Sequence, residues 1–188
     1  MKLYSWEELN EFVNACTRCG LCRSRVRPVM GRGSLQADTM IVAEAPGGQE
    51  DRAGVPFVGP AGKMLDELLA SCGMRREEIY ITNILKCHPP GNRDPQEAEK
   101  ESCIPYLKYE MLLVRSRIVV CLGRVAAQRI ISPDFRITRQ HGQWLCRNHY
   151  YLTAVYHPSA LLRDPAKIEE TRRDFLRIAE KRKELAAE

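Results

Sequence analysis

Four short apolar runs alternate with helix-forming segments along this chain, and this alternation limits the possible folds more than any other feature. The runs are TMIVAEA, EIYITNIL, RIVVCLG and YLTAVY. Their length and apolar character favour buried strands, and the first run ends at a Pro-Gly turn. Strands that alternate with helices form a parallel sheet covered on both faces. The sequence therefore predicts an α/β fold, with three αβα layers around a central, mainly parallel, four-stranded sheet.

The segments between these runs carry helix start and stop signals. SWEELNEFVNAC begins with a capping box made by Ser5 and Glu8, and AGKMLDELLASCG is an amphipathic helix that Gly73 ends. Asp94-Pro95 and Asp164-Pro165 each predict a helix start, with Asp as the N-cap and Pro in the first turn. The chain has 188 residues and no repeat or long linker, so we expect one domain over residues 1–188.

Polar groups follow the predicted strands at the points where the strands end. The exits read EAPGGQED, TNILKC, CLGR and YHPSALLR, and three of the four contain side chains capable of chemistry. Binding sites in parallel sheets form outside the carboxyl ends of the strands. An active site at this edge of the sheet is therefore expected.

The charge is distributed unevenly. Residues 12–37 contain five arginines and no acid, and residues 111–150 contain seven arginines against one acid, Asp134. Such stretches suit a polyanion such as nucleic acid, although a solvated basic surface is equally compatible with charge alone. No apolar run is long enough to span a membrane and the first residues lack a signal-peptide pattern, so we expect a cytoplasmic protein.

The eight cysteines are many for a cytoplasmic chain, where disulfides are disfavoured. Cys16 and Cys19 form a C-x2-C pair, while Cys87 and Cys103 flank the loop KCHPPGNRDPQEAEKESC, which cannot build a core of its own. Four thiolates from two segments can make a closed site for zinc or for an iron–sulfur cluster. Four separate buried thiols are the alternative, and Cys22 could replace a neighbour as a ligand.

The segments AEAPGGQEDRAGVPFVGPAGKMLD, YITNILKCHPP, TRQHGQW and YHPSALLR resemble, in order, the motifs of the family-four uracil-DNA glycosylases. These are the iron–sulfur members of the uracil-DNA glycosylase superfamily, and the resemblance runs from Cys16 to Arg163. It implies a central parallel sheet with helices on both sides. It also implies a [4Fe–4S] cluster, with the ligands Cys16, Cys19, Cys87 and Cys103. This chain has Ala43 where the family usually has Gly.

The resemblance implies a DNA repair enzyme that hydrolyses the N-glycosidic bond of flipped-out deoxyuridine, releasing uracil and leaving an abasic site. Asn83 is the candidate base reader, because its amide can donate to uracil O4 and accept from N3–H, a pattern that cytosine reverses. His157 is the candidate donor to O2 as the uracil anion forms. Phe57 is expected to stack on the base, although a phenylalanine is more often a core residue.

Further residues are expected around the base and the DNA. Glu44, Ala45 and Pro46 would wall the pocket, and Glu44 either positions the attacking water or orients Asn83. Leu161 is expected to fill the gap left by the flipped base, with Leu162 as the alternative. Arg163 would lie at the DNA, and amides around Gly59 and Ser159 could hold phosphates.

Two other functions remain open from the sequence. One is a superfamily variant that acts on other deaminated bases, and the other is a non-catalytic iron–sulfur or zinc nucleic-acid-binding module. The expected partner is uracil-containing DNA, single- or double-stranded, and not a membrane. We expect a monomer near the nucleoid, with a sliding clamp as a candidate partner.

Overall fold

The computed structural model describes residues 4–188, which form a six-stranded sheet flanked by helices. The strands are β1 (Arg32–Gly33), β2 (Thr39–Ala43), β3 (Tyr80–Asn83), β4 (Ile118–Leu122), β5 (Leu145–Arg147) and β6 (Tyr150–Val155). The α-helices are α1 (Trp6–Asn14), α2 (Gly48–Ala53), α3 (Pro60–Ser71), α4 (Glu97–Val114), α5 (Gly123–Ile130), α6 (Ile137–Gln140), α7 (Pro158–Arg163) and α8 (Ile168–Ala186).

The sheet order is β1-β3-β2-β4-β6-β5. The four predicted strands are the inner four and run parallel, whereas β1 and β5 pair antiparallel at the two edges. The α/β prediction is confirmed, but the predicted count of four strands is corrected to six. The two edge strands are only two and three residues long and exposed, so they carry no apolar run that sequence patterning could detect.

The alternation of side chains along β2 shows how the sheet is covered on both faces. Ile41 and Ala43 pack into a core with α3 and α8, and Met40 and Val42 pack into a second core with α4 and α5. Both faces of each inner strand are therefore removed from water, which explains why these strands are continuous apolar runs.

Two predicted helix starts are corrected. The N-cap of α4 is Gln96, which forms a capping box with Glu99, while Asp94 instead pairs with Arg124 at 2.8 Å. Before α8, Pro165–Lys167 forms a single 3-10 turn, and the α-helix begins at Ile168. The capping box of Ser5 and Glu8 at α1 is confirmed.

No helix formed by residues 4–188 combines the length and the apolar character that crossing a membrane requires. The prediction of one domain over residues 1–188 stays a prediction, and its first three residues lie outside the described part of the chain.

Candidate active site

A cleft of about 600 Å³ opens at the carboxyl ends of the inner strands. Glu44 follows β2, Asn83 ends β3, Gly123 follows β4 and His157 lies just beyond β6. The three residues predicted to be catalytic therefore line one cleft, although they are far apart in the sequence. Other predicted residues in its walls are Ala45, Pro46, Phe57, Ser159 and Arg163.

Asn83 presents an unpaired acceptor at this cleft. Its side chain is only 2% exposed, and its Oδ1 atom has no hydrogen-bond partner among residues 4–188. A buried polar atom left without a partner costs about 1–3 kcal/mol, so such atoms are uncommon and are often completed by a ligand. The Asn83 amide therefore has the chemistry to accept a hydrogen bond from a bound molecule.

The contacts of His157 define which of its ring nitrogens carries the proton. The backbone N–H of Ser159 donates to Nδ1 at 3.1 Å, and the Ser159 hydroxyl lies 2.8 Å from the same atom. Because a backbone N–H can only donate, Nδ1 is unprotonated and the neutral ring carries its proton on Nε2. Burial, together with Arg163, lowers the pKa of His157 to about 4, while Glu50 opposes this shift. At neutral pH the residue is thus a neutral donor.

This lowered pKa predicts a loss of stability in acid. As pH falls from 6.5 towards 4, the unfolded chain takes up a proton at His157 before the folded protein does. The contribution of His157 to the free energy of unfolding is therefore fully present above the pKa of the unfolded chain. It declines as the pH falls through this window, by up to about 3 kcal/mol. Urea unfolding at pH 7 and pH 4.5 should show a smaller decline for His157→Gln than for the wild type. Equal declines in the two proteins would contradict the assignment.

The Phe57 segment has a constrained backbone beside His157. Phe57 has a φ of +56°, a left-handed conformation that is unusual for a residue with a side chain, and its ring centroid lies 5.8 Å from that of His157. Arg76 donates to the carbonyls of Pro56 and Phe57 at 2.6 and 2.9 Å. A Cβ atom at Gly62 would lie only 1.9 Å from the Phe57 carbonyl oxygen. The surrounding contacts thus hold the ring in this orientation.

Two carboxylates, those of Glu44 and Glu50, lie in the wall of the cleft. Glu50 of α2 accepts from the backbone N–H groups of Val58 and Gly59 at 3.0 and 2.8 Å, so it caps the start of α3. Glu44 is half-buried, and burial followed by the nearby Asp94 raises its pKa. Glu44 is therefore a better proton acceptor than an exposed carboxylate would be.

Five cysteines converge on a second, small cavity beside the cleft loop. The thiol groups come from the segment after α1, the residue after Lys86 and the first turns of α4. Arg25 donates to Cys87 Sγ at 3.1 Å, and the backbone N–H of Lys86 donates to Cys103 Sγ at 3.2 Å. The full set is Cys16, Cys19, Cys22, Cys87 and Cys103.

The remaining three cysteines are elsewhere. Cys72 caps α3, Cys121 is fully buried in β4, and Cys146 is exposed in β5. Burial raises the pKa of Cys103, and the nearby Lys86 opposes this effect. Within residues 4–188, no group of three or more His, Cys, Asp and Glu side chains is arranged to hold a metal ion.

Comparison with known proteins decides the family. The family model of the Uracil DNA glycosylase superfamily matches residues 30–181. The Type-4 uracil-DNA glycosylase of Archaeoglobus fulgidus is 42% identical over 186 residues, covering 94% of this chain and 92% of the relative. The Thermotoga maritima Type-4 enzyme is 38% identical, covering 96% of both chains. This chain belongs to the type-4 uracil-DNA glycosylase family.

A second group of relatives lies further away. The Type-5 uracil-DNA glycosylase of Thermus thermophilus is 29% identical to this chain, covering 93% of it and 97% of the relative. The type-4 matches are closer, and they confirm the resemblance that the four sequence motifs predicted.

The two leucines predicted to face DNA differ in exposure, and the prediction for Leu161 is wrong. Leu161 is 0% exposed and belongs to the core between the sheet, α3 and α8, so it is not available to enter DNA. Its neighbour Leu162, the predicted alternative, is 47% exposed. In a short helix the two adjacent residues point in different directions, and only tertiary packing decides which one reaches solvent.

Two of the amides predicted to hold phosphates, those of Gly59 and Ser159, are already occupied within the protein. The Gly59 N–H is already bound to Glu50, and the Ser159 N–H is bound to His157 Nδ1. Neither amide is available to a phosphate in this conformation. The exposed Arg163 remains at the cleft wall and can reach an anion.

Some residues that shape the site carried weak sequence signals or none. The acidic pair Glu50 and Asp51 is near the cleft motif in sequence, but its contacts with the backbone at residues 58, 59 and 26 could not be inferred. Arg76 lies in the loop between α3 and β3, with nothing in the local sequence to indicate that it supports Phe57. The side chains of the acidic pair and of Arg76 bond to backbone groups, which every residue has. Their partners therefore leave no motif in the sequence.

Proposed function

We propose that this protein hydrolyses the N-glycosidic bond of a deoxyuridine flipped out of DNA, so that uracil leaves and an abasic site remains. The observation that carries the proposal is the placement of Asn83 and His157 in one cleft. The buried amide has an unpaired acceptor, and the neutral imidazole has its proton on Nε2. Uracil offers the matching edge, with N3–H beside two carbonyl oxygens.

Recognition would depend mainly on Asn83. Its Oδ1 accepts from uracil N3–H, and its amide nitrogen donates to O4. Cytosine has an acceptor at N3 and a donor at C4, so both hydrogen bonds would face groups of the same kind. A buried polar site rejects such a mismatch strongly, because the unpaired groups cannot regain water. Phe57, fixed beside His157, would stack on the ring of the base.

Bond cleavage places negative charge on the departing uracil and positive charge on the sugar. His157 Nε2–H donates to O2, and this hydrogen bond strengthens as the uracil anion develops, by about 3 kcal/mol for one well-placed donor. Water adds to the sugar carbon on the face opposite to the leaving base and loses a proton. Glu44, with its raised pKa, suits acceptance of that proton, and orienting Asn83 is its alternative role.

We also propose that Cys16, Cys19, Cys87 and Cys103 hold a [4Fe–4S] cluster. These thiols converge on one cavity without forming, within the described part of the chain, a site for a single metal ion, and two of them already accept N–H bonds. This arrangement fits the all-thiolate ligand set of a [4Fe–4S] cluster, whose four thiolates bind four different iron atoms and so lie farther apart than the ligands of one ion. When bound, the cluster would supply structural order, joining the segment after α1 to the loop that follows β3. The steps of uracil release are assigned to protein side chains alone.

Leu162 would stabilise the extruded state by entering the duplex where the base was. Leu162→Ala should therefore slow uracil release from double-stranded DNA about tenfold and leave single-stranded DNA little affected, because only a duplex has a gap to fill. Single-turnover rates on both substrates measure this. Leu176→Ala, another exposed leucine on the remote helix α8, is the matched control. Equal slowing on both substrates would rule out a wedge role.

The remaining assignments follow from the function. We place the protein in the cytoplasm with the nucleoid, as a monomer bound to uracil-containing DNA, single- or double-stranded, with a sliding clamp as a candidate partner. Arg163 at the cleft wall supports contact with the DNA backbone.

The deciding experiment uses oligonucleotides with one central deoxyuridine, single-stranded or paired with G or A. Chromatography should detect free uracil, and alkali should cut the strand at the resulting abasic site. Oligonucleotides with thymine or cytosine at the same position should remain intact. Tight binding without base release would instead support the non-catalytic module. Comparable release of hypoxanthine would support the variant with broader base specificity.

A further inference from the structure

Lys86 and Glu110 form the most deeply buried ion pair among residues 4–188. Their side chains are 1% and 0% exposed, and neither lines the cleft. Lys86 lies three residues after the end of β3, and Glu110 lies in α4 behind the sheet. Burying two charges is expensive and rarely the most stable solution, since apolar side chains of similar size are often as good. Stability alone therefore does not explain why two charged residues occupy these positions.

The hydrogen bonds of the pair are complete. Lys86 Nζ donates to Thr82 Oγ1 and to the Asn83 carbonyl oxygen, each at 2.7 Å, and to Glu110. Glu110 also accepts from the Thr82 hydroxyl, the Tyr80 hydroxyl and the Gly31 N–H. All three N–H groups of the Lys86 ammonium have acceptors, and both oxygens of the Glu110 carboxylate have donors. The network therefore has a single geometry, because rotation of either side chain would leave a buried polar group unpaired.

One end of this network holds the base reader. The ammonium group of Lys86 is bound directly to the backbone carbonyl of Asn83 and to the side chain of the preceding Thr82. Among residues 4–188 no group bonds to the Asn83 Oδ1 atom, so the position of the amide depends on the backbone that carries it and on packing. A displacement of about 1 Å can cost a hundredfold in rate at such a site.

The other end meets the cysteine cavity. The backbone N–H of Lys86 donates to Cys103 Sγ, its carbonyl accepts from Val29 at 2.7 Å, and the next residue is Cys87. Lys86 thus contacts Asn83 through its side chain and a cysteine through its backbone. Arg25, in the same segment as Val29, donates to Cys87 Sγ. The residues that would hold the cluster and the residue that would hold uracil meet at Lys86.

We propose that Lys86, held by Glu110, is a positioning residue that couples the cysteine cavity to the direction of the Asn83 amide, and so to the preference for uracil over cytosine. This inference rests on the proposed function. It explains why a loop stabilised by thiols follows the strand that ends at Asn83. Order in the cysteine segment is transmitted through one residue to the base-reading side chain.

The test replaces both charges together in Lys86→Met/Glu110→Gln, which avoids leaving one charge buried alone. Binding is measured with oligonucleotides carrying 2′-fluoro-2′-deoxyuridine or 2′-fluoro-2′-deoxycytidine, in which the fluorine resists glycosidic cleavage. We expect the preference for the uridine DNA to fall at least about tenfold, with affinity for the cytidine DNA unchanged. Iron content and visible absorbance, measured on the same samples, should match those of the wild type.

A destabilised control separates positioning from general weakening of the fold. Ile178→Ala creates a cavity beside α8, a helix that carries none of the residues of the Lys86–Glu110 network, and its preference should equal that of the wild type. A folded double variant that keeps the preference within twofold overturns the inference. If the double variant loses iron, the binding preference is measured again after reconstitution with iron and sulfide. A preference that returns fully to the wild-type value also overturns the inference, whereas a preference that stays low after iron is restored supports it.

If the double variant does not fold, Thr82→Val decides. This change removes only the hydroxyl bonds to Lys86 and Glu110, and a preference lowered at least about threefold supports the inference. An unchanged preference overturns it. A wild-type protein without any uridine preference would overturn the proposed function instead, which is a different result.

Discussion

Asn83→Asp should reduce uracil release by about 10³-fold or more, the larger of the two strongest effects expected here. The substitution keeps the shape of the side chain but replaces the amide donor with a second carboxylate oxygen. Such a group cannot donate to uracil O4 and repels it in a buried site where water cannot compensate. The rate under single-turnover conditions, with enzyme in excess over uracil-containing DNA, measures the loss.

The same substitution should favour the wrong base. A carboxylate oxygen can accept from the exocyclic amine of cytosine. Cytosine release, which we expect to be undetectable for the wild type, should therefore become detectable for Asn83→Asp. Asn92→Asp is the matched control, because Asn92 lines the same cleft and the substitution adds the same charge. We expect it to stay within about threefold of the wild-type rate, as for an exposed side chain. Equal losses in the two variants would attribute the effect to charge in the cleft.

Cys103→Ser should abolish iron binding and lower the thermal midpoint of unfolding by more than about 10 °C. The thiol lies in the first turns of α4, is 8% exposed and accepts from the backbone of Lys86. A hydroxyl is a poor ligand for iron, so the variant would lose the bonds between the cleft loop and the segment after α1. Cluster binding is part of the folding free energy of such proteins, which makes the loss large.

Three measurements check this outcome, namely iron per chain, visible absorbance and the thermal midpoint. Cys72→Ser is the control, because Cys72 lies outside the cysteine cavity and a serine hydroxyl can make the bonds that its thiol makes to carbonyls of α3. It should retain full iron and an unchanged midpoint. A colourless wild-type protein that contains zinc would contradict the cluster assignment while leaving the cysteine set intact. Normal iron content in Cys103→Ser would remove Cys103 from the ligands.

The predictions for Leu161 and for the Gly59 amide failed for the same reason, namely contacts between segments that are separate in the sequence. Leu161 and Leu162 are chemically identical neighbours, and the difference between 0% and 47% exposure arises from the packing of α7 against α3. The Gly59 amide looked available in the sequence because the partner that occupies it, Glu50, lies in a different helix. Local sequence describes which groups exist, whereas contacts between segments decide which of them remain free.

The inner strands, the helices between them and the polar residues at the strand ends could be predicted because each depends on short-range order in the chain. Apolar runs make buried strands, and topology then brings residues as distant as Glu44, Asn83 and His157 to one edge. The Lys86–Glu110 pair, the support of Phe57 by Arg76 and the tautomer of His157 could not be predicted. The first two require groups from separate segments to meet at hydrogen-bonding distance, and only the packed core brings them together. The tautomer depends instead on the local backbone conformation that points the Ser159 N–H at the His157 ring.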